Sequence, residues 1–265
     1  MSFSFIHITD HHLPESEASL VRGFSPVHAF RAVMRHIAEN AASYTDFMIS
    51  TGDLVETATD VAYQSLMHIL NLRGDPVGAP GPLRVSMEGL YEFPLYCLPG
   101  NHDDRTGFCR CLFPKDPPRP LMNVAFVHKG IQFVCLDWGP HTKAVAHSET
   151  LDFLMRSLQA DAPCVLLMHH HIIPTKSRWL DEFIPEGVDR FWDIVAGQNV
   201  LGIFCGHAHM TYDRVVENIP VFGLRSTAFQ FALQDEPLAC LLPPHYRLVT
   251  IQNGVLTTRI LEVPL

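Results

Sequence analysis

Acidic and imidazole side chains recur in five short segments of the sequence, each directly after an apolar run. The segments are Asp10-His11-His12, Gly52-Asp53, Gly100-Asn101-His102-Asp103, His169-His170-His171 and Gly206-His207-Ala208-His209. Carboxylates and neutral imidazoles bind divalent metal ions, and a mixed nitrogen and oxygen donor set suits Mn, Fe, Zn or Co better than Ca or Mg. No cysteine occupies a ligand position in these segments, which argues against a structural zinc site of the cysteine type.

These segments hold more candidate ligands than one ion can use. Two ions that share a bridging carboxylate would use them all. Ions ~3.5–4 Å apart suit in-line displacement at phosphorus, because the pair stabilises the attacking and leaving oxygens together. The local charge of the ions would also let an acidic protein bind an anionic substrate. The residue types therefore point to a two-metal site that acts on a phosphate ester.

The elements that must position these segments alternate along the chain. Apolar runs predict strands at 3–8, 47–50, 95–98, 164–168 and 200–205. Helical spacing of apolar residues predicts helices at 26–40, 59–70 and 188–195, and another from 148 onwards. Ligands of open α/β sheets bind at the carboxyl ends of the strands. We therefore expect the five segments to meet at one edge of the fold.

Hairpins mark the rest of the chain. One is predicted over 124–136, and two-residue turns are predicted at Glu217-Asn218 and Asn253-Gly254, each between apolar runs. A strand–helix series followed by hairpins implies an α/β fold. Its helices either cover one mixed sheet or lie outside two sheets packed face to face. We interpret residues 1–265 as a single domain.

One compositional break interrupts the pattern at about 71–93. Its first half is rich in proline and glycine, at Gly74, Pro76, Gly78, Pro80, Gly81 and Pro82. That density predicts the absence of regular structure. Its second half carries apolar side chains that a solvated linker would lack. We expect that half to pack over the mouth of the site or against a second subunit.

Composition excludes several classes of protein. The 265 residues carry 19 Lys+Arg and 28 Asp+Glu, a net charge of −9, and 47% are hydrophobic. This balance is typical of a globular protein rather than a disordered one, and the acidic charge argues against a nucleic acid polymer as partner. The sequence shows no apolar run long enough for a membrane span and no basic signal-peptide start. Seven cysteines, an odd number, favour reduced thiols and a cytoplasmic location.

The ordered set of motifs D-x-H, GD, GNH, a histidine after an apolar strand, and GHxH resembles the calcineurin-like metallophosphoesterases. More narrowly, ITDHHL, GNHDDR, LLMHHH, IFCGHAH, STAFQF and PPHYRL look like the bacterial branch of cyclic-nucleotide and glycerophosphodiester phosphodiesterases. The resemblance runs from about residue 3 to 251. It implies an α/β, four-layer α/β/β/α sandwich of two mixed β-sheets flanked by helices.

The resemblance also implies roles for individual residues. The implied metal ligands are Asp10, His12, Asp53, Asn101, His169, His207 and His209. Asp53 would bridge the two ions, and a hydroxide that bridges them would attack phosphorus. His102 would face the substrate phosphate, to stabilise charge or protonate the leaving alkoxide. The run of three histidines leaves open whether His169 or its neighbour is the ligand.

The expected substrate is a small phosphodiester, either a 3′,5′-cyclic nucleotide such as cAMP or a glycerophosphodiester. His11, His170 and Trp179 are candidate substrate contacts. Arg105 is the only cation that adjoins a motif segment, which favours a diester monoanion over a phosphomonoester dianion. The alternatives are a phosphomonoesterase or protein phosphatase, a nuclease, and a non-catalytic metal-binding scaffold. Homo-oligomerisation stays open.

Overall fold

A computed structural model describes residues 2–73, 81–87, 91–158 and 162–265 of the chain. The strands are β1 (Ser2–Ile8), β2 (Phe47–Ser50), β3 (Leu72–Arg73), β4 (Leu83–Met87), β5 (Tyr91–Cys97), β6 (Val124–His128), β7 (Ile131–Leu136), β8 (Cys164–Met168), β9 (Val200–Cys205), β10 (Tyr212–Val216), β11 (Ile219–Gly223), β12 (Gln230–Phe231), β13 (Ala239–Cys240), β14 (His245–Gln252) and β15 (Val255–Glu262). The helices are α1 (Pro26–Asn40), α2 (Asp60–Ile69), α3 (Arg105–Leu112), α4 (Ser148–Leu158), α5 (Arg178–Asp181) and α6 (Val188–Val195), and a 3-10 turn covers Ala42–Tyr44.

Two mixed sheets contain most of these strands. Within the described ranges, the first sheet has the order β15-β14-β1-β2-β5-β4-β3 and the second has the order β10-β11-β9-β8-β7-β6. β1, β2 and β5 are parallel neighbours in the first sheet. β7, β8, β9 and β11 are parallel neighbours in the second. Antiparallel strands lie at the edges of both sheets. β12 and β13 form a separate small hairpin.

The two sheets pack face to face through a phenylalanine-rich core. The rings of Phe5 and Phe47 in the first sheet stack with centroids 5.4 Å apart. Each of them meets the edge of Phe133 in the second sheet at 5.4 Å. Aromatic pairs in these geometries are favourable beyond the area that they bury. The inner faces of both sheets are therefore apolar and closed to solvent.

Helices cover the outer faces. α1, α2 and α3 bury apolar residues against the first sheet, and α4 and α6 bury apolar residues against the second. The predicted four-layer α/β/β/α sandwich is confirmed, and a single helix-covered sheet is excluded. The sequence also located the start of α1, because Ser25 caps the helix through the amide of His28 and Pro26 follows it.

Residues 71–93 correct one expectation. The described parts of this segment form β3, β4 and the start of β5, which extend the first sheet as antiparallel edge strands. Leu83, Val85 and Phe93 are buried in the core that α1 and α2 cover, and not over the site mouth. The alternation of apolar and polar residues over 83–86 is the strand signal that the proline and glycine content obscured. Residues 74–80 and 88–90 lie outside the described part.

No helix in the described ranges is both long and apolar enough to cross a bilayer. The parallel strands β1, β2 and β5 of one sheet, and β8 and β9 of the other, end at the same edge of the sandwich. The connections there are hydrogen-bonded to one another: the Asp10 amide donates to Gly52 O at 3.0 Å, and the Gly206 amide donates to His169 O at 2.9 Å. This edge carries all five polar segments.

Candidate metal centre

The backbone is strained where the polar segments leave their strands. Asp10, His12, Asp53, His207 and His209 all have positive φ, between 46° and 65°. Residues other than glycine rarely adopt this left-handed conformation, and it persists only where the surrounding structure enforces it. The five residues are also buried, at 7% exposure or less. The fold thus holds these five polar side chains inside at a conformational cost.

One group of potential ligand atoms comes from Asp10, His12 and His209, all within 4.8 Å of one another. The Nε2 atoms of His12 and His209 are 3.0 Å apart. His209 Nε2 lies 3.3 Å from Asp10 Oδ1, and His12 Nε2 lies 3.6 Å from Asp53 Oδ2. Asp53 therefore lies next to this group as well as to the second one.

The second group comes from Asp53, His169 and His207, also within 4.8 Å of one another. His169 Nε2 lies 3.4 Å from Asp53 Oδ2 and 3.2 Å from His207 Nδ1. Asn101 adds its Oδ1 atom at 3.0 Å from His169 Nε2. The first histidine of the 169–171 run is thus the one that points at Asp53.

In three of these histidines, Nδ1 points away from the ligand groups and donates a hydrogen bond. His209 Nδ1 donates to Phe229 O at 2.8 Å and His169 Nδ1 donates to Thr51 O at 2.8 Å, because a carbonyl can only accept. His12 Nδ1 donates to the Glu56 carboxylate at 2.7 Å. All three rings therefore turn Nε2 toward the neighbouring carboxylates, and in the neutral ring that nitrogen carries the free lone pair.

This donor set fits metal ions. In the neutral rings, lone pairs of nitrogen and oxygen would face one another at about 3 Å, an arrangement that is repulsive unless a cation or extra protons lie among them. Ligand histidines in metalloproteins commonly donate their second N–H to a carbonyl or carboxylate, as these do. The residues present could hold two ions that share Asp53.

The charges of the site lead to the same conclusion. Burial alone would raise the pKa of Asp10, but the nearby His209 and His169 lower it to about 2. Burial would lower the pKa of His169, but the carboxylates of Asp53 and Asp10 raise it to about 9. Without an ion, the two buried carboxylates stay ionised and hold a proton on His169. The site requires positive charge at its centre.

His102 lies beside the two groups and does not belong to the Asp53 group. Its amide donates to Asp53 Oδ1 at 2.9 Å and its Nδ1 donates to Glu56 O at 2.7 Å. Its side chain is 32% exposed, so Nε2 is the ring nitrogen that can meet a ligand. Burial lowers the pKa of this imidazole, but the Asp53 carboxylate, the hydrogen bond to Glu56 O and the Glu56 carboxylate together outweigh that effect and raise it overall.

A cavity of about 260 Å³ opens above the two groups. His12, Asp53, Asn101, His102, His207 and His209 reach its surface. Trp179, predicted as a substrate contact, also lines it, although it lies on the short helix α5 rather than in a loop.

The structure places two other predicted substrate contacts elsewhere. Both ring nitrogens of His11 are hydrogen-bonded at 2.8 Å, to Thr227 and Ser50, and the ring is buried outside the cavity lining of the described residues. His170 donates to His141 O at 2.9 Å and is buried behind His207. Neither ring is available to a ligand in the cavity.

Arg105, the cation that adjoins a motif segment, contacts that segment but is not among the described residues that line the cavity. Its guanidinium is buried, where it pairs with Asp137 and donates to Gly100 O and Asp103 O at 2.7 Å. It therefore supports the loop that carries Asn101. The arginine in the described cavity lining is Arg22.

Sequence reasoning missed Glu56, Arg22, Phe229 and Phe231. Glu56 follows Asp53 by three residues, and that short separation is the available signal for it. Phe229 and Phe231 lie within the STAFQF motif, which carried the family resemblance but had no assigned role.

Comparison with known proteins adds relatives of nearly equal length. A 3′,5′-cyclic-nucleotide phosphodiesterase of Nostoc sp. is 27% identical over 278 residues, which span 100% of this chain and 94% of the relative. The 3′,5′-cyclic adenosine monophosphate phosphodiesterase CpdA of Escherichia coli K12 is 26% identical over 266 residues, or 96% of this chain and 88% of the relative.

Solved structures match the fold. A dimetal phosphatase from Danio rerio aligns with a TM-score of 0.59 at 13% identity, covering 99% of both chains. GAP50 of Plasmodium aligns with a TM-score of 0.62 at 11% identity, covering 98% of this chain and 84% of that one. Residues 3–211 match the family model of the calcineurin-like phosphoesterases. The family and fold that the motifs predicted are confirmed, and the chain belongs to the calcineurin-like phosphoesterase family.

Proposed function

We propose that this protein is a metal-dependent phosphodiesterase that hydrolyses small phosphodiesters, with 3′,5′-cyclic nucleotides as its substrates. One observation carries the proposal: two groups of acceptor atoms share Asp53 at the floor of a cavity, and His102 stands beside them. The relatives named as cyclic-nucleotide phosphodiesterases, which match almost the whole chain, support the substrate class.

The proposed ligands of one ion are Asp10, His12 and His209, and those of the other are Asn101, His169 and His207, with Asp53 between the ions. The mixed nitrogen and oxygen donors favour Mn, Fe, Zn or Co. When bound, such a pair of ions neutralises the charge that develops on the phosphoryl oxygens and activates water. The residues that surround the ligands then determine how the ester lies and how protons move.

His102 supplies the proton in this proposal. Its Nδ1–H is held by Glu56 O, so a proton on Nε2 is the one that can leave. A water oxygen bonds to phosphorus and releases one proton to solvent, the bond from phosphorus to the leaving alkoxide breaks, and the Nε2 proton moves to that alkoxide. The raised pKa of His102 favours the protonated ring that this step requires.

The cavity favours a small diester over the alternatives. A cavity of about 260 Å³ in a protein of net charge −9 suits a small molecule better than a nucleic acid polymer. A phosphomonoester dianion would need more cationic side chains than Arg22, the arginine of the described lining. A non-catalytic scaffold would be free to lose ligands, whereas this chain keeps every proposed ligand and His102.

The reduced state of the cysteines supports the proposal of a cytoplasmic location. All seven cysteines, each within the described ranges, are free. Several are deeply buried, and burial raises the pKa of Cys164 and Cys205 to about 12, which keeps these thiols protonated and unreactive.

A substrate panel tests the proposal. Metal-loaded protein is assayed with 3′,5′-cyclic, 2′,3′-cyclic and glycerol phosphodiesters and with a nucleoside monophosphate, before and after chelation with metal loss confirmed. We expect the highest kcat/KM for a 3′,5′-cyclic nucleotide and no turnover after chelation. Activity that survives complete metal loss, or a clear preference for the monoester, would contradict the proposal.

A further inference from the structure

Four aromatic side chains form one continuous wall of the cavity. This aromatic wall consists of Phe229, Phe231, Trp179 and Phe183. Adjacent rings meet edge to face: Phe229 and Phe231 at 5.6 Å, Phe231 and Trp179 at 5.0 Å, and Trp179 and Phe183 at 5.9 Å. The proposed catalytic step uses none of them.

The aromatic wall runs from one ligand group to the other. At one end the Phe229 ring lies 5.2 Å from the ring of His12 and 4.9 Å from that of His209. At the other end Phe183 lies 5.8 Å from the ring of His207. An ester whose phosphate lies at the two ligand groups must therefore direct an organic substituent along this wall.

Arg22 adds a cation to the outer side of the wall. Its guanidinium carbon lies 5.7 Å from the ring centroid of Phe229 and 5.6 Å from that of Phe231. The side chain is exposed and, among the described residues, makes neither a close ion pair nor a hydrogen bond. Burial raises the pKa of Glu56 in the same lining, but the hydrogen bond to His12 and the charges of His12, His102 and Arg22 lower it, so the Arg22 cation acts on the cavity.

A hydrogen-bonded turn holds the backbone of Arg22 in place. Val21 and Phe24 exchange two hydrogen bonds of 2.9 Å across a tight turn, whose central residues Arg22 and Gly23 have φ of 50° and 86°. Val21 and Phe24 pack with Phe229 in a small apolar cluster beneath the turn. The turn that carries Arg22 is thus anchored to the same residue that forms the end of the wall.

Arg22 beside the aromatic wall favours ligand groups that accept hydrogen bonds. An arginine side chain only donates, and its fork of N–H groups matches two adjacent acceptors. Guanine presents such a pair at O6 and N7, whereas adenine presents an acceptor at N7 and a donor at N6. Aromatic faces stack any base. In the described lining, the one side-chain amide that could pair with adenine belongs to Asn101, a proposed metal ligand.

We propose that Arg22 is a specificity-determining residue that, with the half-buried rings of Phe231 and Trp179, forms a subsite for a purine base and selects guanine over adenine. The inference rests on the proposed function, because that function places the phosphate at the ligand groups and so directs the base along the wall.

Binding of the reaction products tests the subsite without turnover. Isothermal titration of metal-loaded protein with 5′-GMP and 5′-AMP should show GMP bound about tenfold more tightly, the size of one good bidentate contact. Arg22→Ala should remove that preference by weakening GMP. Arg22→Lys keeps the charge but loses the fork, so it should behave like Arg22→Ala. Arg214→Ala, at an exposed arginine outside the cavity lining, is the matched control and should leave both affinities unchanged.

Turnover separates this inference from the proposed function. In wild type, kcat/KM should favour 3′,5′-cyclic GMP over cAMP, Arg22→Ala should bring the two within about twofold, and a glycerophosphodiester should be unaffected. Equal binding of GMP and AMP, or a uniform loss for every ligand in Arg22→Ala, would overturn the subsite. Hydrolysis without base preference would leave the proposed function intact and overturn only the subsite. A guanine preference in binding without any hydrolysis would retain the subsite and overturn the function.

Discussion

Glu56 holds His12 through its carboxylate, with Oε2 2.7 Å from His12 Nδ1. Its backbone carbonyl accepts from His102 Nδ1 at the same distance of 2.7 Å. One residue therefore orients both a proposed metal ligand and the proposed general acid, through two different groups. A substitution of its side chain removes the first contact and keeps the second, but it also changes the charge of a carboxylate 3.7 Å from His102 Nδ1.

Glu56→Gln tests this division of roles. The amide can still accept from His12 but supplies no negative charge, so the ligand is less basic. We expect metal affinity to fall by about 10–100-fold at one of two sites, with the other unchanged. Titration of the metal-free protein followed by elemental analysis gives both affinities. Equal weakening of both sites would show that Glu56 does not act through His12.

Asp53→Asn should impair the site more than a change to any other single ligand. Asp53 Oδ2 lies near His12 and His169, one from each group. An amide neither neutralises two ions nor bridges them. We expect loss of tight binding at both sites and turnover near background, measured by metal content and kcat. Two tightly held ions with near-native kcat would show that Asp53 is not shared.

His102→Ala should separate chemistry from metal binding. The ring donates to a backbone carbonyl and lines the cavity, and it lies outside the Asp53 group. We expect kcat to fall by about 10²–10⁴-fold, the magnitude of a lost general acid. Metal content should stay near native, because the backbone amide that contacts Asp53 remains. A variant that loses an ion would make His102 a ligand instead.

The affinity for metal ions should rise with pH, and each binding event should release protons. The pKa of His169 in the metal-free protein is raised to about 9, so below that pH a proton competes with the ion for Nε2. Affinity for the ion at this group should therefore increase with pH up to about 9 and then level off. Calorimetry in buffers of different ionisation enthalpy counts the released protons. Affinity independent of pH from 6 to 9 would contradict this assignment.

Gly100→Ala should damage the metal site without removing a ligand. A Cβ atom at this position would lie 2.1 Å from Asp53 Oδ1 and 2.3 Å from the Asp53 amide nitrogen. The added methyl group must displace the shared carboxylate. We expect lower metal occupancy and lower kcat, with a circular dichroism spectrum close to wild type. Gly130→Ala is the control for a glycine substitution elsewhere: it strains a turn with φ of 76° but meets no neighbour within 4 Å, so metal occupancy and kcat should stay unchanged.

The sequence was sufficient to predict the fold and the convergence of the ligand segments. Asp10, Asp53 and His207 each lie just beyond an apolar strand, and parallel strands of one fold end at a common edge. This relation depends only on local patterns, so it can be deduced without knowledge of long-range contacts. The start of α1 was similarly local, because a cap and a proline mark it.

What the sequence could not predict depends on contacts between distant segments. Arg22 meets Phe229 and Phe231 across more than 200 residues, through a turn whose place against them no periodicity reveals. The burial of Arg105 has the same origin, since its partner Asp137 follows a strand of the second sheet. In the segment 71–93, two short strands were hidden by neighbouring proline and glycine residues.

Each proposed ion would join the two sheets, because Asp10, His12 and Asp53 follow strands of the first sheet whereas His169 and His209 follow strands of the second. The distance between the ligands of one ion is therefore set by how closely the sheets approach. That approach is governed by the edge-to-face packing of the stacked Phe5 and Phe47 rings against Phe133, in the interior of the sandwich. Replacing one of these rings with a smaller side chain would let the two sheets move relative to each other. Substitutions in the hydrophobic interior can therefore change the metal preference of this protein without a change in any ligand.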